Sequence, residues 1–186
     1  MLLSLFFLLS LIFNICYAAN CLPPSVTSNL YEKVCFDTGN STSSTNPCPI
    51  TNRCLKLLEP YPQITSAKDY VTLCKFYLKV AIENATKVHN YFNEVMKKNS
   101  SSEALKLCAT VYYDGFVNEL KASLADLVRD PSSANYDAFT AGDGINACNS
   151  LLDNEKISNP ILHTLNSDMS FLVVVAFFAT YNLPGQ

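Results

Sequence analysis

The stretch from Ile64 to Val95, ITSAKDYVTLCKFYLKVAIENATKVHNYFNEV, decides the fold class. Ile64, Val71, Leu78, Ala85 and Phe92 recur every seven residues, and Ala67, Cys74, Ala81, Val88 and Val95 keep the same interval three residues later. All ten positions are apolar or Cys. An α-helix returns to one face every three to four residues, so this double row makes one continuous apolar stripe. The spacing predicts a helix of about eight turns, packed along its length in a bundle. No segment alternates with period two for long enough to compete as a strand.

Three more helices follow by the same reasoning. Ser100-x-x-Glu103 reads as a capping box, and the stripe behind it is Leu105, Cys108, Tyr112, Phe116, Leu120, Leu124 and Leu127. Asp130-Pro131 supplies an N-cap and a first-turn proline, followed by Ala134, Ala138, Ala141, Ile145, Cys148 and Leu152. Gly142 and Gly144 weaken the middle of that helix. Asn159-Pro160 opens the last one, lined by Leu162, Leu165, Met169, Leu172, Ala176, Ala179 and Leu183. Residues 171–178, FLVVVAFF, are apolar on every side; they read as a helix covered from several directions, since a C-terminal anchor signal needs a polar spacer that is missing. Upstream, Val26, Leu30 and Val34 suggest a short helix, Gly39 to Pro49 (GNSTSSTNPCP) a loop, and Cys54, Leu55, Leu57 and Leu58 a second short helix ended by Pro60-Tyr61-Pro62. The expected class is all-α: an antiparallel up-and-down four-helix bundle.

Composition limits function. The chain has 186 residues, 49% apolar and 16% charged, with 13 Lys+Arg against 16 Asp+Glu and a net charge of -3. No basic block offers a nucleic-acid surface. Residues 2–13 are an uncharged apolar run followed by small residues at Cys16 and Ala18, which reads as a signal peptide over 1–18 and a single domain over 19–186. Twelve apolar residues are too few to span a bilayer, so no membrane span is expected in the mature protein. Cys21, Cys35, Cys48, Cys54, Cys74, Cys108 and Cys148 then remain, an odd number, so one thiol stays free or pairs with another chain. Sequons at Asn40, Asn84 and Asn99 agree with a secretory route, with Asn40 and Asn99 placed in polar loops.

Catalytic chemistry has no positive support. The two histidines, His89 and His163, flank helix seams and read as ordinary helix residues. No Cys-x-x-Cys or His-rich spacing suggests zinc, and there is no phosphate-binding loop, nucleophile elbow or dinucleotide fingerprint. The reading is a protein without metal or cofactor that acts through its surface and is not an enzyme.

Leu105-Lys106-Leu107-Cys108, Tyr112-Tyr113-Asp114 with Leu120 and Leu124, the small-residue run Ala138 to Cys148, Val34-Cys35, and Cys54-Leu55-x-x-Leu58 form a recognisable set. With them the chain resembles the plant invertase and pectin methylesterase inhibitor family over roughly residues 28 to 184. The resemblance implies an N-terminal helical hairpin, about residues 25–60, ahead of the bundle at about 63–184. It also implies two disulfides, Cys35–Cys54 and Cys108–Cys148. In the chain-entropy model each contributes roughly 3 to 4 kcal/mol. The 18 residues between Cys35 and Cys54 are more than the family usually has, and Cys21, Cys48 and Cys74 are extra. Where family members often carry Thr before the last Cys and acidic residues after it, this chain has Ala147, Asn149 and Ser150.

The resemblance implies a secreted inhibitor in the apoplast or cell wall, partnered by pectin methylesterase or, second, acid invertase. A candidate contact surface is the small-residue third helix with Tyr136, Ala147 and Asn149, beside Tyr113 and Asp114 on an exposed edge of the second helix. Two other readings compete. One is a binding module for apolar small molecules, although the adjacent Cys-Cys and Cys-x-Cys of lipid-transfer proteins are missing. The other is a structural or defence protein that keeps the fold without inhibiting, motivated by the changes around Cys148.

Overall fold

The protein is described by a computed structural model that covers residues 29–43 and 45–185. Val26, the expected signal peptide and Cys21 lie outside the described residues. The chain divides into two compact units, one ending at Lys68 and one beginning at Asp69.

In the first unit, α1 (Leu30–Thr42) and α2 (Cys48–Leu58) pair, followed by the short α3 (Pro62–Thr65). The helix claims the front of the stretch that composition assigns to a loop, so Asn40 stands on α1 and not in a loop. The threonines make this tolerable: Thr38 and Thr42 donate their hydroxyls to carbonyls one turn back, at 2.8 and 2.7 Å. Gly39 is there for close approach. A β-carbon at this position would collide with the Thr51 side chain and the Pro47 carbonyl. Cys35 and Cys54 are bonded across the pair, with Cα atoms 5.3 Å apart, among buried Val34, Leu58 and Ile64. Cys48 is also in a disulfide.

The second unit begins with α4 (Tyr70–Lys98), 29 residues long. The sevenfold row therefore does not belong to one helix from its start. Ile64 lies in α3 and Ala67 in the connection, because Asp69 breaks the helix. Its carboxylate accepts from the Thr72 amide at 2.7 Å and the Thr72 hydroxyl at 2.9 Å, an N-cap that restarts the chain. Those two donors also hold the Asp69 carboxyl below its usual pKa. From Cys74 through Phe92 the row is buried, with Leu73 and Tyr77 widening it.

The second bundle helix comes in three pieces: α5 (Glu103–Leu107), a π-helical turn (Cys108–Tyr112) and α6 (Tyr113–Asp126). Its cap differs from the expected box. Ser102, not Ser100, caps it, accepting from the Leu105 amide at 3.1 Å. The carboxylate comes from Glu155, 2.7 Å from the Ser102 hydroxyl and 2.8 Å from the Ala104 amide. The π-turn spends one extra residue in a single turn. At its end Tyr113 takes the inward place expected of Tyr112, which is half-buried, while Phe116, Leu120 and Leu127 farther on are buried as the stripe predicts and Leu124 is half-buried.

Helix α7 (Pro131–Asn154) is capped by Asp130, which accepts from the Ser133 amide at 3.0 Å. Its row from Ala134 to Leu152 is buried at every expected position. It runs unbroken through Gly142 and Gly144. Lys156 then takes a left-handed conformation (φ 54°), and the Ile157 amide closes on the Leu152 carbonyl at 2.9 Å. Helix α8 (Pro160–Tyr181) is capped by Asn159. By length and apolarity it is long enough to cross a membrane. It packs on α4 and α7, with Leu172, Val175, Ala176 and Ala179 buried. Buried Asn166 takes the inward place next to half-buried Leu165.

Interhelix bonds fix the topology. Ser102 at the start of the second helix meets Glu155 at the end of the third, and Asn135 near the start of α7 reaches the Phe177 carbonyl near the end of α8 at 3.0 Å. Tyr77 of α4 donates to the Leu172 carbonyl at 2.6 Å. Successive helices therefore run antiparallel, and α4 closes on α8: an all-α up-and-down bundle without strands among the described residues.

Candidate functional site

Tyr113 anchors the surface that the bundle presents on its second and third helices. Its ring lies 4.6 Å from Phe92 and edge-on to Phe116 at 5.8 Å. Its hydroxyl donates to Asn166 Oδ1 at 2.5 Å, and Asn166 Nδ2 donates to Asn149 Oδ1 at 2.6 Å. Burial pushes the phenol well above its ordinary pKa, so it stays a donor. The expected exposed edge is thus half right. Asp114 is exposed, but Tyr113 is core, shifted inward by the π-turn. Asn149 is half-buried and held from beneath by Asn166.

The π-turn has its own brace. His89 of α4 donates from Nε2 to the Ala109 carbonyl at 2.6 Å, and Asp114 Oδ1 lies 3.6 Å from the same nitrogen. Next to this turn α7 comes very close. A β-carbon at Gly144 would stand 2.8 Å from the Tyr112 carbonyl oxygen. Cys108 and Cys148 are bonded here, locking the π-turn to α7 with Cα atoms 5.0 Å apart.

Between α6 and α7 lies a shallow groove of about 320 Å³. Tyr112, Phe116 and Glu119 line one side, and Thr140, Gly144 and Ala147 line the other. Ala147 thus faces a concave surface, because the small residues of α7 leave room where larger ones would fill it. Tyr136 stands about one to three turns N-terminal to the groove residues of α7 and is 66% exposed. A separate aromatic group joins α7 to α8. Phe139 is 58% exposed and packs 5.6 Å from Phe177, which in turn lies 6.0 Å from the exposed Tyr181. Sequence reading found Tyr136 and missed this aromatic group. Its signature was Phe139 on one helix and the Phe177/Tyr181 spacing on the other, which meet only once their antiparallel register is known.

Of the sequons, Asn40 is exposed on α1. Asn84 is half-buried on α4, with its amide donating to the Val80 carbonyl at 2.8 Å. Asn99 is exposed at the end of α4, with its amide 3.1 Å from the Val95 carbonyl. Cys74 is a free, fully buried thiol; burial, with a contribution from the Asp69 charge, pushes its pKa up to about 12. His163 bonds the Ile157 carbonyl at 3.2 Å. No group of three His, Cys, Asp or Glu side chains suited to a metal occurs among the described residues.

Comparison with known proteins gives a family and a fold. The family model for plant invertase/pectin methylesterase inhibitors matches residues 29–176. No curated protein sequence matches the chain. Two similar solved structures are pectin methylesterase inhibitors from Arabidopsis. A mutant form A aligns with TM-score 0.64 at 18% identity, covering 73% of this chain and 91% of that one. The second, from Arabidopsis thaliana, aligns with TM-score 0.58 at 18% identity, covering 84% and 97%.

Proposed function

Because the chain belongs to the plant invertase/pectin methylesterase inhibitor family, we propose that it is a secreted protein that inhibits a cell-wall enzyme acting on carbohydrate. Pectin methylesterase is the first target and acid invertase the second. The observation that carries this reading is the family match, which runs through both units of the chain. The likeness to two pectin methylesterase inhibitor structures supports the same fold and favours the first target.

Inhibition here needs no reacting group. A rigid helical surface laid over a substrate cleft excludes the polymer, and rigidity keeps the ordering cost of binding low. The cross-link between the π-turn and α7 supplies that rigidity next to the groove. The proposed contact surface is α7 with Tyr136, Ala147 and the exposed Asp114. Large aromatic rings in such positions are the residues most often found to dominate binding energy. Apoplastic location and secretion belong to the same proposal.

Kinetics test the mode of action. Inhibition by cleft covering raises the apparent KM for the polymer and leaves kcat unchanged, whereas action at a remote site lowers kcat. Tyr136→Ala should weaken inhibition by more than about 1 kcal/mol while the melting temperature barely moves.

A further inference from the structure

The three Asn-x-Ser/Thr tripeptides, at Asn40, Asn84 and Asn99, lie outside the proposed contact surface, and the structure sorts them. Asn99, Ser100 and Ser101 are all exposed in the turn after α4, where Asn99 has left helical geometry (φ -131°, ψ 56°). Asn40, Ser41 and Thr42 are likewise all exposed, as the last three residues of α1. A final helical turn frays readily, and Asn, Ser and Thr are weak helix formers. Asn84 differs. It sits in the middle of α4, is half-buried, and is followed by Ala85, which has no exposed surface. Its side-chain nitrogen donates to the Val80 carbonyl at 2.8 Å, while the Thr86 hydroxyl donates to the Ile82 carbonyl at 2.7 Å. Residues two apart point to opposite sides of a helix, whereas in extended backbone they share one side. An enzyme that grips the Asn amide and the hydroxyl two residues on together finds them so placed at a turn or a frayed end, and not inside α4.

We propose that Asn40 and Asn99 carry N-linked oligosaccharides and that Asn84 does not. In the transfer, the side-chain amide nitrogen attacks the anomeric carbon of an oligosaccharide linked to a lipid diphosphate. The nitrogen–carbon bond forms and the carbon–oxygen bond to phosphate breaks. The lipid diphosphate leaves with the electron pair, and one amide proton passes to a base of the transferase. The Asn99 nitrogen donates to the Val95 carbonyl at 3.1 Å, and since a side-chain amide carries two hydrogens it keeps that bond after losing one. At Asn84 a sugar would stand on a half-buried side chain beside packed Ala81, Ala85 and Val88. The sugar at Asn99 also marks one end of the bundle. Asn99 precedes Ser102, which bonds Glu155 at 2.7 Å, and from Glu155 to Tyr136 α7 runs roughly 28 Å. The sugar-bearing end therefore stays in solvent, and the Tyr136 end remains free for a partner. The modification rests on the secreted part of the reading above; the place of the partner rests on the inhibitor part.

Two proteins made in plant cells test this: the full chain with its own leader, and the mature chain behind a leader of established function. Release of the sugars by a peptide N-glycosidase in heavy-oxygen water leaves a labelled Asp wherever a sugar-bearing Asn stood, and peptide mass spectrometry locates it. Label is expected at Asn40 and Asn99 and not at Asn84. Asn40→Gln and Asn99→Gln should each shift the secreted protein on a denaturing gel by one oligosaccharide, and Asn84→Gln should not shift it. Ser101→Ala keeps Asn99 and its bond to Val95 and should still abolish the label there, which separates modification from a structural role. Secreted protein with Asn40 or Asn99 unlabelled, or with Asn84 labelled, overturns the proposal. If the chain is not secreted by its own leader, the secretory reading fails and the second protein alone decides the three sites. Enzymatic removal of the sugars should leave the inhibition constant within about twofold, and a tenfold change would put the sugar-bearing end in the contact. If the native protein inhibits neither enzyme, the inhibitor reading fails and the peptide masses still decide the modification.

Discussion

Tyr113→Phe separates a core residue from a contact residue. The substitution keeps the ring against Phe92 and Phe116 and removes only the hydroxyl. Asn166, fully buried, then loses the donor to its Oδ1, which the hydroxyl approaches at 2.5 Å. Orphaning a buried acceptor costs about 1–3 kcal/mol, more than the net worth of an average hydrogen bond. The second link, from Asn166 Nδ2 to Asn149, remains, so the loss should fall near the middle of that range. At this chain length each kcal/mol corresponds to about 2–4 °C in melting temperature. Urea titration monitored by circular dichroism should show an earlier midpoint with an unchanged slope. Inhibition by the folded variant should match the native protein. A stability change below about 0.5 kcal/mol, or a loss of inhibition at unchanged stability, would refute the buried network and return Tyr113 to the surface.

Other outcomes follow from single geometries. Gly144→Ala should destabilise by about 1–3 kcal/mol, because the new carbon would press on the Tyr112 backbone; Gly115→Ala, with nothing within 4 Å, should be neutral or slightly stabilising, and equal effects would refute the close approach. Cys74, with its pKa pushed up to about 12 by burial, should resist alkylation at pH 8 in the folded protein and react once urea unfolds it. Non-reducing peptide mapping should then find disulfides at Cys35–Cys54, at Cys108–Cys148 and at Cys48; labelling of native Cys74 at an ordinary thiol rate would contradict its burial. The hydrogen bonds from Ser102 and Ala104 hold the Glu155 carboxyl below its usual pKa. Its stabilising effect is therefore complete above the unfolded value of about 4.3 and fades as pH falls through the lower folded value. Glu155→Ala should melt below the native protein at pH 7, with the gap closing at strongly acid pH.

What was legible in the sequence follows from which signals are local. The row from Cys74 to Phe92 and the row from Ala134 to Leu152 are plain because each repeats many times on one helix. The start of α4 was not read, because the apolar period runs on through Ile64 and Ala67 and hides the Asp69-x-x-Thr72 cap. The π-turn has no propensity signal. It inserts one residue and turns Tyr113 inward in place of Tyr112, while the rest of the stripe, Leu105, Cys108, Phe116, Leu120 and Leu127, is buried as its spacing predicts. The carboxylate capping α5 comes from Glu155, some fifty residues away, and no local pattern reports that. The two disulfides between described cysteines were implied by the family resemblance, since the cysteine spacing alone allows many pairings. At the candidate site, Tyr136 and Asp114 were found as polar or aromatic residues beside a small-residue helix. Glu119 and Phe139 were not, because a groove and an aromatic group spread over two helices exist only after packing.

The central claim is inhibition, and activity titration tests it most directly. The oxidised mature protein is added in rising amounts to a fixed concentration of plant pectin methylesterase and, separately, of acid invertase. The expected result is a saturable fall in activity of one of them, methylesterase first, with a one-to-one end point when the enzyme concentration exceeds the dissociation constant. Undiminished activity of both enzymes at micromolar inhibitor would contradict the account and favour a protein that keeps the fold without the function.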